Sequence, residues 1–187
     1  MAVPEVPLPP LPEAYWTSDY ATRVRGVMNA ELAELIGYFM GDGSLHAKGI
    51  RFCVAQKDHD VVQRLCYLRH RLFGIEAERK SRTSYTELIF TSIRLVLWWE
   101  ACGLAKTPPT PGHRGKGYPP RVPDAILHTN DPDVYAAFIR GLFEADGTVH
   151  NGYVSWTTST LQFSYDVLRL LLALGFETTR EYEHPSP

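Results

Sequence analysis

Two aspartates in this chain share one setting: Asp42 and Asp146 each close an apolar segment and are followed at once by glycine, in Gly41-Asp42-Gly43 and Ala145-Asp146-Gly147. Asp-Gly after a helix is commonly no more than a turn or a cap. The segments before these two match, however. At an offset of 104 residues, Ala33, Gly37 and Gly41 fall on Ala137, Gly141 and Ala145, so each segment carries a small residue at every fourth position. On a helix that spacing is one face, and a face without bulky side chains lets two helix axes approach closer than the usual roughly 8–10 Å. Helices touching at these positions would bring both carboxylates to one tip. Two acids held at the negative ends of two helices repel one another, which makes sense where a divalent cation with oxygen ligands, in the manner of Mg²⁺, occupies the gap. Metal ions bridging a phosphodiester activate water and stabilise the leaving oxygen, and that hydrolysis is the chemistry the pair suits.

The elements that must position the acids follow from periodicity. Asn29 is a good N-cap, and Leu32, Leu35, Ile36, Phe39 and Met40 recur at helical spacing up to the glycine terminator. Asp131-Pro132 opens a second helix of the same design, with Tyr135, Phe138, Ile139, Leu142 and Phe143. The repeat continues. A strand-like run at residues 49–55 leads to an apolar-periodic helix ending near Gly74, and a run at residues 152–157 leads to one ending near Gly175. Residues 76–82 and 85–91 read as a hairpin and residues 93–103 as a helix, which makes the unit helix, two strands, helix, two strands, helix. The expected organisation is α+β. It has an extended proline-rich lead-in at 1–28, with no packed structure in its first 13 residues, a first half at 29–104, a connector at 105–130 and a second half at 131–187. The second half is expected to be incomplete, with an unpaired strand edge.

Composition limits the alternatives. With 187 residues and 44% hydrophobic content the chain can bury a substantial core. No apolar run is long enough to cross a bilayer and the N-terminus is interrupted by prolines, so a soluble, cytoplasmic monomer with internal pseudo-twofold symmetry is expected. Cys53, Cys66 and Cys102 show no zinc-ligand spacing and are expected to be reduced. The seven histidines do not fall at metal-ligand spacing on one helix, which disfavours a small zinc enzyme. The overall charge of −2 hides an asymmetry: residues 44–123 carry a net +8 and the remainder −10. That distribution permits a phosphate-tracking face without establishing one.

The two segments, Leu35-Ile36-Gly37-Tyr38-Phe39-Met40-Gly41-Asp42-Gly43 and Ile139-Arg140-Gly141-Leu142-Phe143-Glu144-Ala145-Asp146-Gly147, resemble the paired signature motifs of LAGLIDADG (dodecapeptide, DOD-type) homing endonucleases. The resemblance implies the homing-endonuclease fold, two pseudo-symmetric αββαββα halves forming a saddle over double-stranded DNA, and Mg²⁺- or Mn²⁺-dependent double-strand cleavage. It implies Asp42 and Asp146 as catalytic metal ligands, with the backbone carbonyls of Gly41 and Ala145 as further ligands. Gln56 and Lys57 match a Gln-Lys pair at the edge of the family's active site, where the lysine polarises the attacking water or stabilises charge. The corresponding second-half stretch, Trp156-Thr157-Thr158-Ser159-Thr160, has no lysine, so the two DNA strands are expected to be cut unequally. Arg51, Arg79, Lys80 and Arg82, with Lys116 in the connector, are the implied DNA-binding side chains. The connector wording, Gly115-Lys116-Gly117-Tyr118-Pro119-Pro120, is similar to that of endonuclease segments in ribonucleotide reductase inteins. Self-splicing is not expected, since the chain starts with Met and lacks a terminal His-Asn. The competing expectations are a non-catalytic DNA- or RNA-binding protein or maturase of the same fold, and an inactive shortened remnant.

Overall fold

A computed structural model describes residues 5–14, 20–107 and 118–179. Lys116 and most of the connector prolines lie outside the described residues. The chain order is α1 (Ala30–Asp42), β1 (Gly43–His46), β2 (Gly49–Ala55), α2 (His59–Phe73), β3 (Ala77–Ser81), β4 (Tyr85–Thr91), α3 (Ile93–Ala101), α4 (Asp124–Leu127), α5 (Pro132–Asp146), β5 (Gly147–His150), β6 (Tyr153–Trp156) and α6 (Leu161–Ala173). The first half is thus a complete helix, hairpin, helix, hairpin, helix unit. Its four strands are antiparallel in the order β1-β2-β4-β3, and β5 and β6 form a separate two-stranded sheet.

Local chemistry accounts for the boundaries. The Asn29 side chain accepts a 3.1 Å hydrogen bond from the Leu32 backbone N–H, and the Asp131 side chain accepts from the Asp133 N–H with proline at the start of the helix. Helix α2 ends on Gly74 at φ 68°, a left-handed conformation that favours glycine. The glycines that follow α1 and α5 stop their helices for a different reason. Gly43 and Gly147 are extended (φ −85° and −77°). A Cβ on Gly43 would lie 2.5 Å from Phe39 Cα, and one on Gly147 would lie 3.1 Å from Phe143 Cα. Glycine is needed at these two positions for space as the chain folds back along its own helix.

The first-half core is aromatic: Phe39 meets Trp99 edge-on at 5.1 Å and Phe52 at 6.4 Å, while Phe73 meets Trp98 at 6.2 Å. The lead-in departs from expectation, because it packs. Leu8 is buried, its N–H donates to Gly26 O and the Met28 N–H donates to Val6 O. Trp98 Nε1 donates to Pro9 O at 2.7 Å, and Arg94 Nε donates to Pro12 O. Proline removes a donor but keeps its carbonyl, so a proline-rich strap can satisfy buried indole and guanidinium N–H groups.

Candidate active site

Helices α1 and α5 cross on the small-residue face. A Cβ placed on Gly37 would run into the Phe138 carbonyl and lie 2.7 Å from Leu142 N, and one on Gly141 would run into the Glu34 carbonyl and lie 2.9 Å from Tyr38 N. Ala33 and Ala137 are buried in the same seam. Only glycine allows backbone to touch backbone in this way. The seam also contains a buried carboxylate. Glu34 receives Arg64 through both guanidinium edges, at 2.8 and 2.6 Å, and Arg140 of α5 lies 3.5 Å away. Hydrogen bonding to Glu34 is the largest influence on Arg64 and raises its pKa. The bridge therefore joins α1, α2 and α5.

The seam delivers the two acids to one place. A Cβ on Gly41 would lie 2.5 Å from Ala145 Cβ and 3.1 Å from Asp146 Oδ2, so the Asp146 carboxylate rests against the residue that precedes Asp42. Asp42 and Ala145 line the same small cavity, about 100 Å³ in volume. Lys106, which sequence reasoning did not single out, completes the tip. Its Nζ donates to the Gly41 carbonyl at 2.9 Å and lies 5.8 Å from the centre of the Phe39 ring. Burial lowers the Lys106 pKa, and Asp146 and Asp42 pull it back up. Desolvation raises the Asp146 carboxyl, and Lys106 draws it down. No local motif marks this lysine: it stands 64 residues after Asp42, in what reads as connector. What places it is a turn at Gly103 (φ 67°), the buried Leu104, and Arg121, whose guanidinium donates to the carbonyls of Gly103 and Ala105.

The donor set fits a hard divalent ion. Two carboxylates and the Gly41 carbonyl offer oxygen only, and an ammonium already sits at that carbonyl. Among the described residues no cluster of three or more His, Cys, Asp or Glu could hold a metal, so an ion here would complete its shell with backbone, water or substrate oxygens, as Mg²⁺ commonly does.

The other expected site residues are divided. Gln56 and Lys57 follow β2 in the turn beside Ser84 and line a separate, open hollow with Ala55 and Ser84. Ala55 also lines the cavity next to Asp42, so Lys57 stands two residues from that wall. Register settles the sheet faces: Arg51 pairs with Ile89, and Lys80 with Glu87. These positions alternate with the buried Ile50, Phe52, Leu88 and Phe90 and so share the outer face. Arg79 pairs with Leu88 and its Nη2 donates to Cys66 Sγ on α2 at 3.0 Å. It belongs to the helix-side face, so the expectation that all four cations line one surface is corrected: period-two alternation sends neighbours Arg79 and Lys80 to opposite sides. Arg51 and Arg82 both approach the buried Glu87, at 3.6 and 3.3 Å, an acid that the sequence reading passed over because only strand register brings it between two arginines. In the second half the matching outer positions, Thr148 and Ser155, hydrogen-bond to each other at 2.8 Å.

Helices joined through glycine, each leading into a hairpin and carrying an acid at the shared tip, define an α+β protein built as two related halves around one centre. The chain belongs to the LAGLIDADG-like domain family, whose profile matches residues 29–98 and 133–186. Its fold is similar to that of a variant of the homing endonuclease I-DmoI solved in complex with its target DNA in the presence of 2 mM Mn (TM-score 0.53, 17% identity, covering 78% of this chain and 76% of that one). It is similar also to mesophilic variants of I-DmoI (TM-score 0.51, 18% identity, 78% and 77% covered). Among curated proteins, it is 26% identical over 155 residues to the catalogued large component of the A-type ATP synthase of Pyrococcus abyssi. It is 27% identical over 150 residues to the replication factor C small subunit of Methanocaldococcus jannaschii. These alignments cover 82% and 79% of this chain but only 14% and 8% of the relatives.

Proposed function

We propose that this chain is the cutting unit of a site-specific double-strand DNA endonuclease of the homing type, working with Mg²⁺ or Mn²⁺. The observation that carries the reading is the tip itself: two motif helices locked through Gly37 and Gly141, with Asp42, Asp146 and Lys106 converging beyond the lock. Asp42, Asp146 and the Gly41 carbonyl would hold the ion, with the Ala145 carbonyl as a further ligand. The bound ion supplies an activated water and charge stabilisation at the scissile phosphate. Lys106 offsets the negative charge of the acids and offers an N–H donor to a phosphate oxygen. Arg51 and Lys80, on the outer sheet face, reach base edges or phosphates of a duplex laid across it.

An insertion-element origin is supported by the relatives. An ATP synthase component and a replication factor component share no activity by name, yet each contains a stretch that aligns with most of this chain. A segment shared by such different hosts is carried independently of what the host does, which fits an intein endonuclease. The connector wording points to a ribonucleotide reductase host.

The test is incubation of the chain with a plasmid library of randomised duplex inserts in Mg²⁺, followed by sequencing of the broken ends. Cleavage at a defined long sequence is expected, with Asp42→Asn and Asp146→Asn each abolishing it while binding persists. Variants that cut like the parent would refute the assigned roles. A second reading, a binding protein or maturase that does not cut, is favoured by the solvent-facing Val149 and Val154 of the second half; sequence-specific binding without broken ends would establish it.

A further inference from the structure

Lys106 brings a positive charge to the tip from outside both motif helices. Its ammonium donates to the Gly41 carbonyl at 2.9 Å, lies 5.8 Å from the Phe39 ring centre, and has Asp146 and Asp42 as the charges acting on it. A carbonyl oxygen, two carboxylates and an aromatic ring are surroundings that favour a cation. The oxygens among them are the same ones that a divalent ion at this tip would take.

We propose that Lys106 is a tethered stand-in for the metal: in the metal-free protein its ammonium occupies the cation position at the Gly41 carbonyl, and divalent-ion binding displaces it. The inference rests on reading the tip as a metal centre. Two cations cannot share one carbonyl oxygen at contact distance, because their repulsion in a partly desolvated site is large. The geometry permits the exchange. Leu104 is fully buried, Arg121 holds the carbonyls of Gly103 and Ala105, and the Thr107 N–H donates to Pro119 O at 3.0 Å. The backbone on both sides of Lys106 is therefore fixed, while its four-carbon stem is free to swing the ammonium outward. The stand-in keeps two like charges together before the ion arrives, and displacement delivers a donor to the rim of the centre.

The experiment is Mn²⁺ titration of the whole chain without nucleic acid, by calorimetry and by the electron paramagnetic resonance of free Mn²⁺, on the parent, Lys106→Met and Lys106→Arg. Removing the competitor is expected to tighten Mn²⁺ binding by about tenfold or more in Lys106→Met, with Lys106→Arg within about threefold of the parent. Equal or weaker binding by a folded Lys106→Met overturns the stand-in while leaving the metal centre in place. Absence of Mn²⁺ binding in all three overturns the metal reading of the tip, and the displacement falls with it. If Lys106→Met fails to fold, the parent answers alone: the Lys106 side-chain ¹³Cε and ¹⁵Nζ signals must shift on Mg²⁺ addition, and signals that stay put overturn the proposal.

Discussion

At an offset of 104 residues, Leu45 and Ile50 of the first β-hairpin are 6% and 0% exposed, whereas Val149 and Val154 of the second are 74% and 63% exposed. The two hairpins are built alike, Gly43 pairing with Phe52 and Gly147 with Trp156. The difference lies in what surrounds them. In the first half β2 pairs along its whole length with β4, and α3 brings Trp99 down onto Phe39. Among the described residues β6 has β5 as its sole strand partner. An apolar residue on a strand is therefore a statement about a face, and whether that face becomes core depends on a second layer from elsewhere. The shared helix seam tolerates this inequality because its contacts are between α1 and α5 themselves and do not require matched sheets.

The largest effect expected is at the seam. Gly37→Leu, which drives a side chain into the Phe138 carbonyl, should separate the halves and destabilise the protein by more than about 3 kcal/mol. The same substitution at Gly26, where an added Cβ meets nothing within 4 Å, should leave the midpoint of chemical denaturation within experimental spread. Next come the paired hairpin positions: Ile50→Ala should cost about 2–5 kcal/mol, and Val154→Ala less than about 0.5 kcal/mol. Equal losses in urea melts would show that the second hairpin is covered in solution, and the contrast between the halves would disappear.

Arg64→Ala removes the closer partner of Glu34 and leaves that buried carboxylate to Arg140, with a loss of about 2–4 kcal/mol. If thermal melts show no loss, Glu34 is better solvated than its burial indicates. The smallest effect is specific to pH and to the first half, where burial pushes the Cys102 thiol from 9.0 to about 12. The unfolded chain loses this proton near pH 9 and the folded protein keeps it, so the folded state binds more protons and its stability falls as pH rises from about 9 towards 12. Cys102→Ala should flatten that part of the stability curve. A slope unchanged by the substitution would assign the alkaline loss to other groups.

Much of the helical frame was legible in advance. Asn29 and Asp131-Pro132 announced the starts of α1 and α5, and the Ala33/Gly37/Gly41 and Ala137/Gly141/Ala145 stripes announced how those helices meet. Arg79 and Lys80 show where legibility ended: two neighbouring cations differ only in which way the strand pleat sends them, and a one-residue uncertainty in register exchanges their faces. The proline-rich lead-in misled because prolines predict poor secondary structure but say nothing of whether carbonyls such as Pro9 O find a donor in a distant tryptophan.

By itself the sequence determined the repeat, the small-residue seam and the pair of acids at its end, because helical period and the missing Cβ of glycine are local properties that act wherever the chain lies. The tertiary structure alone decided that Lys106 is the cation at that pair, and that the outward position of Arg51 is shared with Glu87 and Lys80. Both depend on contacts across many residues, on the fold of the connector in one case and on strand register in the other. No residue carries such a contact in its own identity.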